Sequence, residues 1–266
     1  MLKDITLGQH FPGNSVLHRL DAMIKIILSM LYLVLIFLVK GFVGYGLLAI
    51  FVFCIILLST VPIKFVLKGL KPLLIFIIFT AILNLFMTSG TVIWQWSFLK
   101  LTYEGIYFAV FMILRIVFLV LGTSLLTYTT SPIALTDGIE RFLTPFAKIG
   151  APTHELAMMM SIALRFIPTL LEETDKIMKA QMARGADFES GNLIKRARAL
   201  IPLLVPLFIS AFRRADELAI AMECRCYQGG KNRTRLNVVK VGKIDIIASL
   251  VFLLCAAVIL TANLAG

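Results

Sequence analysis

Five predominantly apolar runs, 23–39, 42–60, 72–88, 105–128 and 244–264, constrain this chain more than any other feature. Each approaches the roughly 20 residues an α-helix needs to cross the hydrocarbon core of a bilayer. In that medium every backbone N–H and C=O must be satisfied without water, so such runs fold as spanning helices. The chain is 59% hydrophobic, with a mean hydropathy of +0.94, above the apolar share of soluble domains. The pattern predicts an all-α membrane protein.

The connections set the orientation. The first two runs are joined by Lys40 and Gly41, a tight hairpin, and the next pair by a loop carrying Lys64, Lys68 and Lys71. Trp94 and Trp96 lie between the third and fourth runs, where an aromatic belt belongs. Of the 26 basic residues, 17 fall between 129 and 243, with 11 of the 15 acidic ones. That stretch is therefore a charged domain rather than a basic tail. Cytoplasmic loops gather Lys and Arg, so the net charge of +11 calls for no nucleic acid. The same rule places the N-terminus and the 129–243 domain in the cytoplasm and the C-terminus outside, which five spans permit. Three parts result: 1–128 with four spans, 129–243, and 244–266 with the last span.

The 129–243 part reads as helices broken by turns. Ser131-Pro132 and Pro145 bracket a short helix at 133–143. A long helix follows over about 154–184, with Pro168 expected to kink it and Gly185 at its C-cap. Another runs over about 192–227, bent by Pro202 and Pro206 and stopped by Gly229-Gly230. Both long helices grade from apolar to charged. We read them as lying along the membrane face rather than as two more spans. Ala211, Ala215 and Ala219 at i, i+4, i+8 on one, and Ala157 and Ser161 on the other, would let the backbones cross closely.

Enzyme signals fail. His154-Glu155 opens a zinc motif, but Met158 occupies the second ligand's place. Gly230-Lys231 lacks the earlier glycine of a phosphate loop, since Arg225 stands there. Glu172 and Glu173 point about 100° apart on a helix, which suits a solvated face better than a shared site. The four cysteines are too few for a disulfide framework, and Cys224-Arg225-Cys226 has no second ligand pair for a metal. Arg115 lies inside the fourth span, where a charge marks either function or a polar partner. Met158, Met159 and Met160 form a flexible apolar surface, suited to core filling or to variable partners.

Two helix endings stand out. Gln-Met-Ala-Arg-Gly closes at 185, and Met-Glu-Cys-Arg-Cys-Tyr-Gln-Gly-Gly closes at 230. A cation at a helix C-terminus complements the dipole by under about 1 kcal/mol when exposed, which accounts for one arginine. Two, in like contexts on the two long polar helices, suit docking, because a guanidinium grips a carboxylate in a rigid fork. The docking set is Ala183, Arg184 and Gly185 with Glu223, Cys224, Arg225 and Cys226.

At these residues the chain resembles the transmembrane T component of energy-coupling factor (ECF) transporters, the EcfT/CbiQ family. Residues 14–25, Asn-Ser-Val-Leu-His-Arg-Leu-Asp-Ala-Met-Ile-Lys, resemble the family's opening motif, with Ala22 and Met23 in place of Pro-Arg. Residues 162–168 and 180–188 resemble its first coupling helix and Ala-Arg-Gly motif. Residues 221–230, with Arg233-Thr234, resemble the second, with Cys224 and Cys226 replacing Ala and Gly. The resemblance implies a non-catalytic coupling subunit of an ABC-type importer. Two cytoplasmic ATPase subunits would bind ATP and Mg, none of it held by this chain. An exchangeable membrane-embedded S component would capture a vitamin, another micronutrient or a metal ion. Contact with the S component and helix crossing fall to Ala157, Met158, Met159, Ser161, Pro168, Ala211, Ala215 and Ala219. The alternative, a self-contained secondary transporter, calls for paired, broken polar spans, and no inverted repeat is evident.

Overall fold

A computed structural model of the chain describes residues 10–96, 99–186, 188, 192–229 and 241–265. They form two compact units: residues 10–141 with 241–265, and residues 142–229. The expected Arg233-Thr234 and Gly230 features lie outside the described residues.

The first unit is the membrane body. A one-turn helix, α1 (Val16–Arg19), leads into α2 (Ala22–Leu38) and α3 (Phe42–Ser59). Residues 61–71, expected as a loop, instead begin a helical run: α4 (Ile63–Lys68), a 3₁₀ turn (Lys71–Leu73) and α5 (Leu74–Met87). Pro62 supplies the N-cap of α4, and Pro72, which has no N–H to donate, falls in the 3₁₀ turn rather than inside an α-helix. The stretch carrying Trp94 and Trp96 is a β-hairpin, β1 (Val92–Trp96) paired antiparallel with β2 (Leu99–Thr102). Long α6 (Tyr103–Thr129) begins on the Thr102 side chain, which accepts from the Gly105 N–H at 3.1 Å. Next come α7 (Pro132–Ala147), which belongs to this unit up to Arg141, and, at the end of the chain, α10 (Lys243–Ala265). Pro145 does not stop α7 but lies inside its last turn.

Among the described residues the architecture is therefore helical, with one two-stranded ribbon. Five described segments are long and apolar enough to cross a membrane: Phe42–Ser59, Ile63–Met87, Tyr103–Thr129, Thr153–Ala183 and Lys243–Asn263. Four coincide with expected runs. The fifth belongs to a helix read from sequence as lying along the membrane face. The first expected run forms α2 with only 17 residues, about 26 Å at 1.5 Å per residue, a few ångströms short of the hydrocarbon core.

The core of this unit packs α2, α3, α6 and α10. Ile36, Val39 and Leu48 are wholly buried, and Tyr32, Leu35, Tyr45, Val52, Phe118, Leu121 and Phe252 surround them. The Tyr32 hydroxyl donates to the Phe118 carbonyl at 2.8 Å. At the far end, the Asn263 side-chain oxygen accepts from the N–H groups of Lys40 and Gly41 at 2.8 and 3.1 Å. It thereby ties the α2–α3 hairpin to the end of α10.

At the near end a buried polar knot joins α2, α6, α7 and α10. Asp21 caps α2 by accepting from the Met23 N–H at 2.8 Å. The same carboxylate takes a bidentate pair from Arg141 of α7, at 2.7 and 2.6 Å. The Asp21 N–H donates to Asp245 at 2.8 Å, whose other oxygen accepts from Gly242 N–H at 2.7 Å and starts α10. Lys25 donates to the Thr129 carbonyl at 2.9 Å and to Thr130 at 3.3 Å. Two anions and two cations thus share the site. Gly138 lets α7 lie directly on the start of α2: a Cβ there would meet the Ala22 backbone at 2.9 Å. Asp21→Ala removes a helix cap and the carboxylate facing Arg141, which costs about 3–5 kcal/mol for a buried pair. The expected result is a lower midpoint of thermal unfolding in detergent, with a smaller loss for Asp21→Asn, which retains the capping oxygen.

Candidate functional site

The second unit is built on α8 (Thr153–Ala183) and α9 (Leu193–Cys224). Pro168 lies inside α8, and Pro202 and Pro206 lie inside α9; each helix continues through them as a single element. The ends of the two helices carry the site.

At the end of α8 Gly185 has φ +86°. Its N–H reaches the Met182 carbonyl at 3.0 Å, and the Ala186 N–H reaches Gln181 at 3.0 Å. This pair of bonds is a Schellman cap, with a left-handed residue just past the helix. Arg184 is the C-cap residue and is exposed. The end of α9 repeats the arrangement. The Cys226 N–H reaches Glu223 at 2.8 Å, and the Tyr227 N–H reaches Met222 at 3.1 Å. Cys226 adopts φ +56°, and Arg225 occupies the C-cap position, also exposed.

Helix α9 therefore stops at Cys224, not at Gly229-Gly230 as its sequence suggests. The stop was hidden because a cysteine holds the left-handed place that favours glycine. Ala183 matches Cys224, Gly185 matches Cys226, and the arginines match each other. The four free cysteines include Cys224 and Cys226, both exposed beside Arg225. Among the described residues no group of three or more His, Cys, Asp or Glu is placed to hold a metal.

The helices are linked behind these tips. Arg214 of α9 donates to Glu173 of α8 at 3.1 Å. Glu173 stands eleven residues before Arg184, and Arg214 stands eleven before Arg225. The link is thus about 16 Å from each arginine along its own helix. Around it, Leu203 is buried, and Leu207, Ser210, Ala211, Leu218 and Met222 are half-buried. Ala215, Ala219 and Ser161, expected at a close crossing, are exposed instead. The inward stripe of α9 thus combines leucines and a methionine with Ser210, Ala211 and the Arg214 ion pair. Ala157 is buried, Met158 half-buried, Met159, Met160 and Pro168 exposed.

The apolar first half of α9 presents an exposed face. Ile201, Leu204, Val205, Phe208, Ile209 and Phe212 are all more than half exposed, and the Phe208 and Phe212 rings meet edge-on at 4.7 Å. Their spacing of three and four residues marks one helix face. Arg115, in the membrane unit, has a polar partner: its Nε donates to the Tyr45 hydroxyl at 3.1 Å, and its guanidinium lies 5.6 Å from the centre of the Phe37 ring.

The structure thus gives a helical membrane body and, in the second unit, two long helices that end on matching arginine caps. The chain matches the family model CbiQ, described as cobalt transport protein, over residues 13–236. It is 59% identical over 247 residues to the energy-coupling factor transporter transmembrane protein EcfT of Thermosediminibacter oceani, covering 93% of each chain. Identity to the protein of that name from Clostridium kluyveri is 58% over 261 residues, 97% of this chain and 95% of the relative. With the Bacillus subtilis relative of the same name it is 50% over 256 residues, 95% and 97% of the two chains. The chain belongs to the EcfT/CbiQ family of ECF transporter T components and is a coupling component of such transporters.

The unequal caps predict an asymmetry. Cys226→Gly relieves a left-handed non-glycine residue and stabilises the end of α9 by about 1 kcal/mol, read as slower amide hydrogen exchange at Tyr227. Gly185→Ala has the opposite effect at Ala186.

Proposed function

We propose that this chain is the non-catalytic subunit that couples two cytoplasmic ATPase subunits to a substrate-binding S component in an ECF-type importer. The observation that carries this reading is the repetition of one cap, with an exposed arginine at the same place, on both long helices. A pair of like partners is the simplest match for a pair of like tips. Each guanidinium offers a planar fork for a carboxylate on an ATPase subunit. ATP and Mg belong to those partners. The distribution of basic residues supports an orientation with both tips in the cytoplasm and the C-terminus outside.

The Glu173–Arg214 link gives the coupling a mechanical form. Its equal distance from the two tips makes α8 and α9 two equal arms about one fixed point. When ATP binding draws the ATPase pair together, the tips approach, and the segments beyond the link turn. Those segments carry the exposed apolar face from Ile201 to Phe212 and the methionines Met158 to Met160. That face is the surface we assign to the S component, which would reorient and release its vitamin, micronutrient or metal-ion cargo inside. An apolar face without fixed hydrogen-bond partners suits exchangeable guests.

Arg184→Ala and Arg225→Ala are each expected to weaken ATPase docking by about 2–5 kcal/mol, the range for truncating a charged group at a desolvated contact. Pull-down of the ATPase subunits and uptake in vesicles check this; the double variant is expected to lose both. Phe208→Ser with Phe212→Ser is expected to lose the S component in pull-down while keeping the ATPases. Unchanged assembly and uptake in the double arginine variant would refute the reading.

A further inference from the structure

The membrane unit contains a cavity of about 410 Å³ that the coupling role does not use. Its volume falls in the roughly 300–1,000 Å³ range of small-molecule sites. The walls come from α1, α2, α3, α6 and α10, and nearly every lining side chain is apolar: Leu28, Val52, Ile55, Leu125, Val251 and Phe252 are typical. The polar side chains on the wall are already engaged. Lys25 donates to the Thr129 and Thr130 oxygens, Ser29 to the Ile26 carbonyl, Tyr32 to the Phe118 carbonyl, and Thr129 to the Leu125 carbonyl. A polar ligand would find little to bind. Water would find too few of the two to four polar partners it needs.

The position along the helices identifies the occupant. Lining residues run from Lys25 to Tyr32 on α2, Phe51 to Leu58 on α3, Gly122 to Thr129 on α6 and Ile244 to Phe252 on α10. In every case the run starts at the helix end on one side of the membrane. Each is about 11–14 Å long at 1.5 Å per residue. Half of a 30 Å hydrocarbon core is about 15 Å. The cavity therefore begins at one interface and stops near the bilayer midplane, which is the depth of one leaflet. At that interface Arg19 and Lys243 are exposed, next in sequence to the lining residues Leu20 and Ile244.

We infer that this cavity holds an acyl chain of an anionic phospholipid from that leaflet, with the phosphate at the interface near Arg19 and Lys243. The chain fills apolar volume among five elements, including α1 and the start of α10, whose places the Asp21–Asp245 contact also sets. The lipid is a structural ligand of the membrane body. It is separate from the arginine tips, so this inference stands or falls independently of the coupling role.

The test is native mass spectrometry of the complex purified in mild detergent, followed by add-back of palmitoyl-oleoyl phosphatidylglycerol. One phospholipid retained per chain is expected for the natural sequence, and add-back after delipidation is expected to raise the unfolding midpoint. Ala248→Phe fills the cavity from α10 and is expected to retain about tenfold less lipid, a change equivalent to 1.4 kcal/mol. Leu250→Phe, on the exposed side of the same helix, serves as the control and retains it. Should Ala248→Phe not fold, Ser29→Leu fills the same space from α2. Absence of retained lipid with no midpoint shift on add-back, or equal retention in the filled variant, overturns the inference.

Discussion

The bidentate pair between Asp21 and Arg141 is the interaction on which the membrane body depends. A carboxylate that is almost wholly buried beside an apolar core is tolerable only when paired and hydrogen-bonded. Asp21 meets both conditions and, in doing so, joins parts of the chain that are far apart in sequence. Its side chain starts α2 and holds α7, and its backbone N–H is tied to the residue that starts α10. Lys25, one turn further on, anchors the end of α6. His18 completes the arrangement: its Nε2 donates to the Phe11 carbonyl at 2.9 Å, and its Nδ1 shares a hydrogen bond with the Ser15 hydroxyl at 2.6 Å. The opening motif is thus a structural knot that gathers three helix ends and the middle of α7 at one side of the membrane.

The second unit works on a different principle. In the proposed reading its function rests on exposed groups held by rigid backbone rather than on buried charge. Arg184 and Arg225 have little holding their side chains, yet each stands on a closed Schellman cap that fixes where the backbone ends. A stiff helix with a defined tip can transmit displacement, whereas a frayed end would absorb it. The Glu173–Arg214 pair then sets the arm length on both sides. The pair is partly exposed, so its value lies in registering two helices rather than in stability.

Much of this was legible in the residues. Apolar runs of spanning length located α3, α5, α6 and α10, because length and hydropathy alone decide such helices. Gly185 marked the end of α8, because a glycine after a polar helix has one common explanation. Other features were not legible. Cys226 concealed the end of α9, since nothing in its side chain announces a left-handed backbone. Of the three alanines expected at the crossing on α9, Ala211 is half-buried, whereas Ala215 and Ala219 are exposed and the inward stripe runs through Leu203 and Arg214. Asp21, Lys25, Arg141 and Asp245 carry no local signal of being partners, because the contacts that neutralise them span more than a hundred residues.

The claim that two like tips seat in two like partners is tested most directly by protection of the thiols beside them. Cys224 and Cys226 flank Arg225 and are exposed, and Ala183→Cys places a thiol at the matching position of α8. Maleimide labelling rates at both tips are to be compared in the chain alone and in the chain assembled with its ATPase subunits. The account predicts strong protection at both tips in the assembly, lost at a given tip when its arginine is replaced by alanine. Equal labelling rates with and without the ATPase subunits would contradict it.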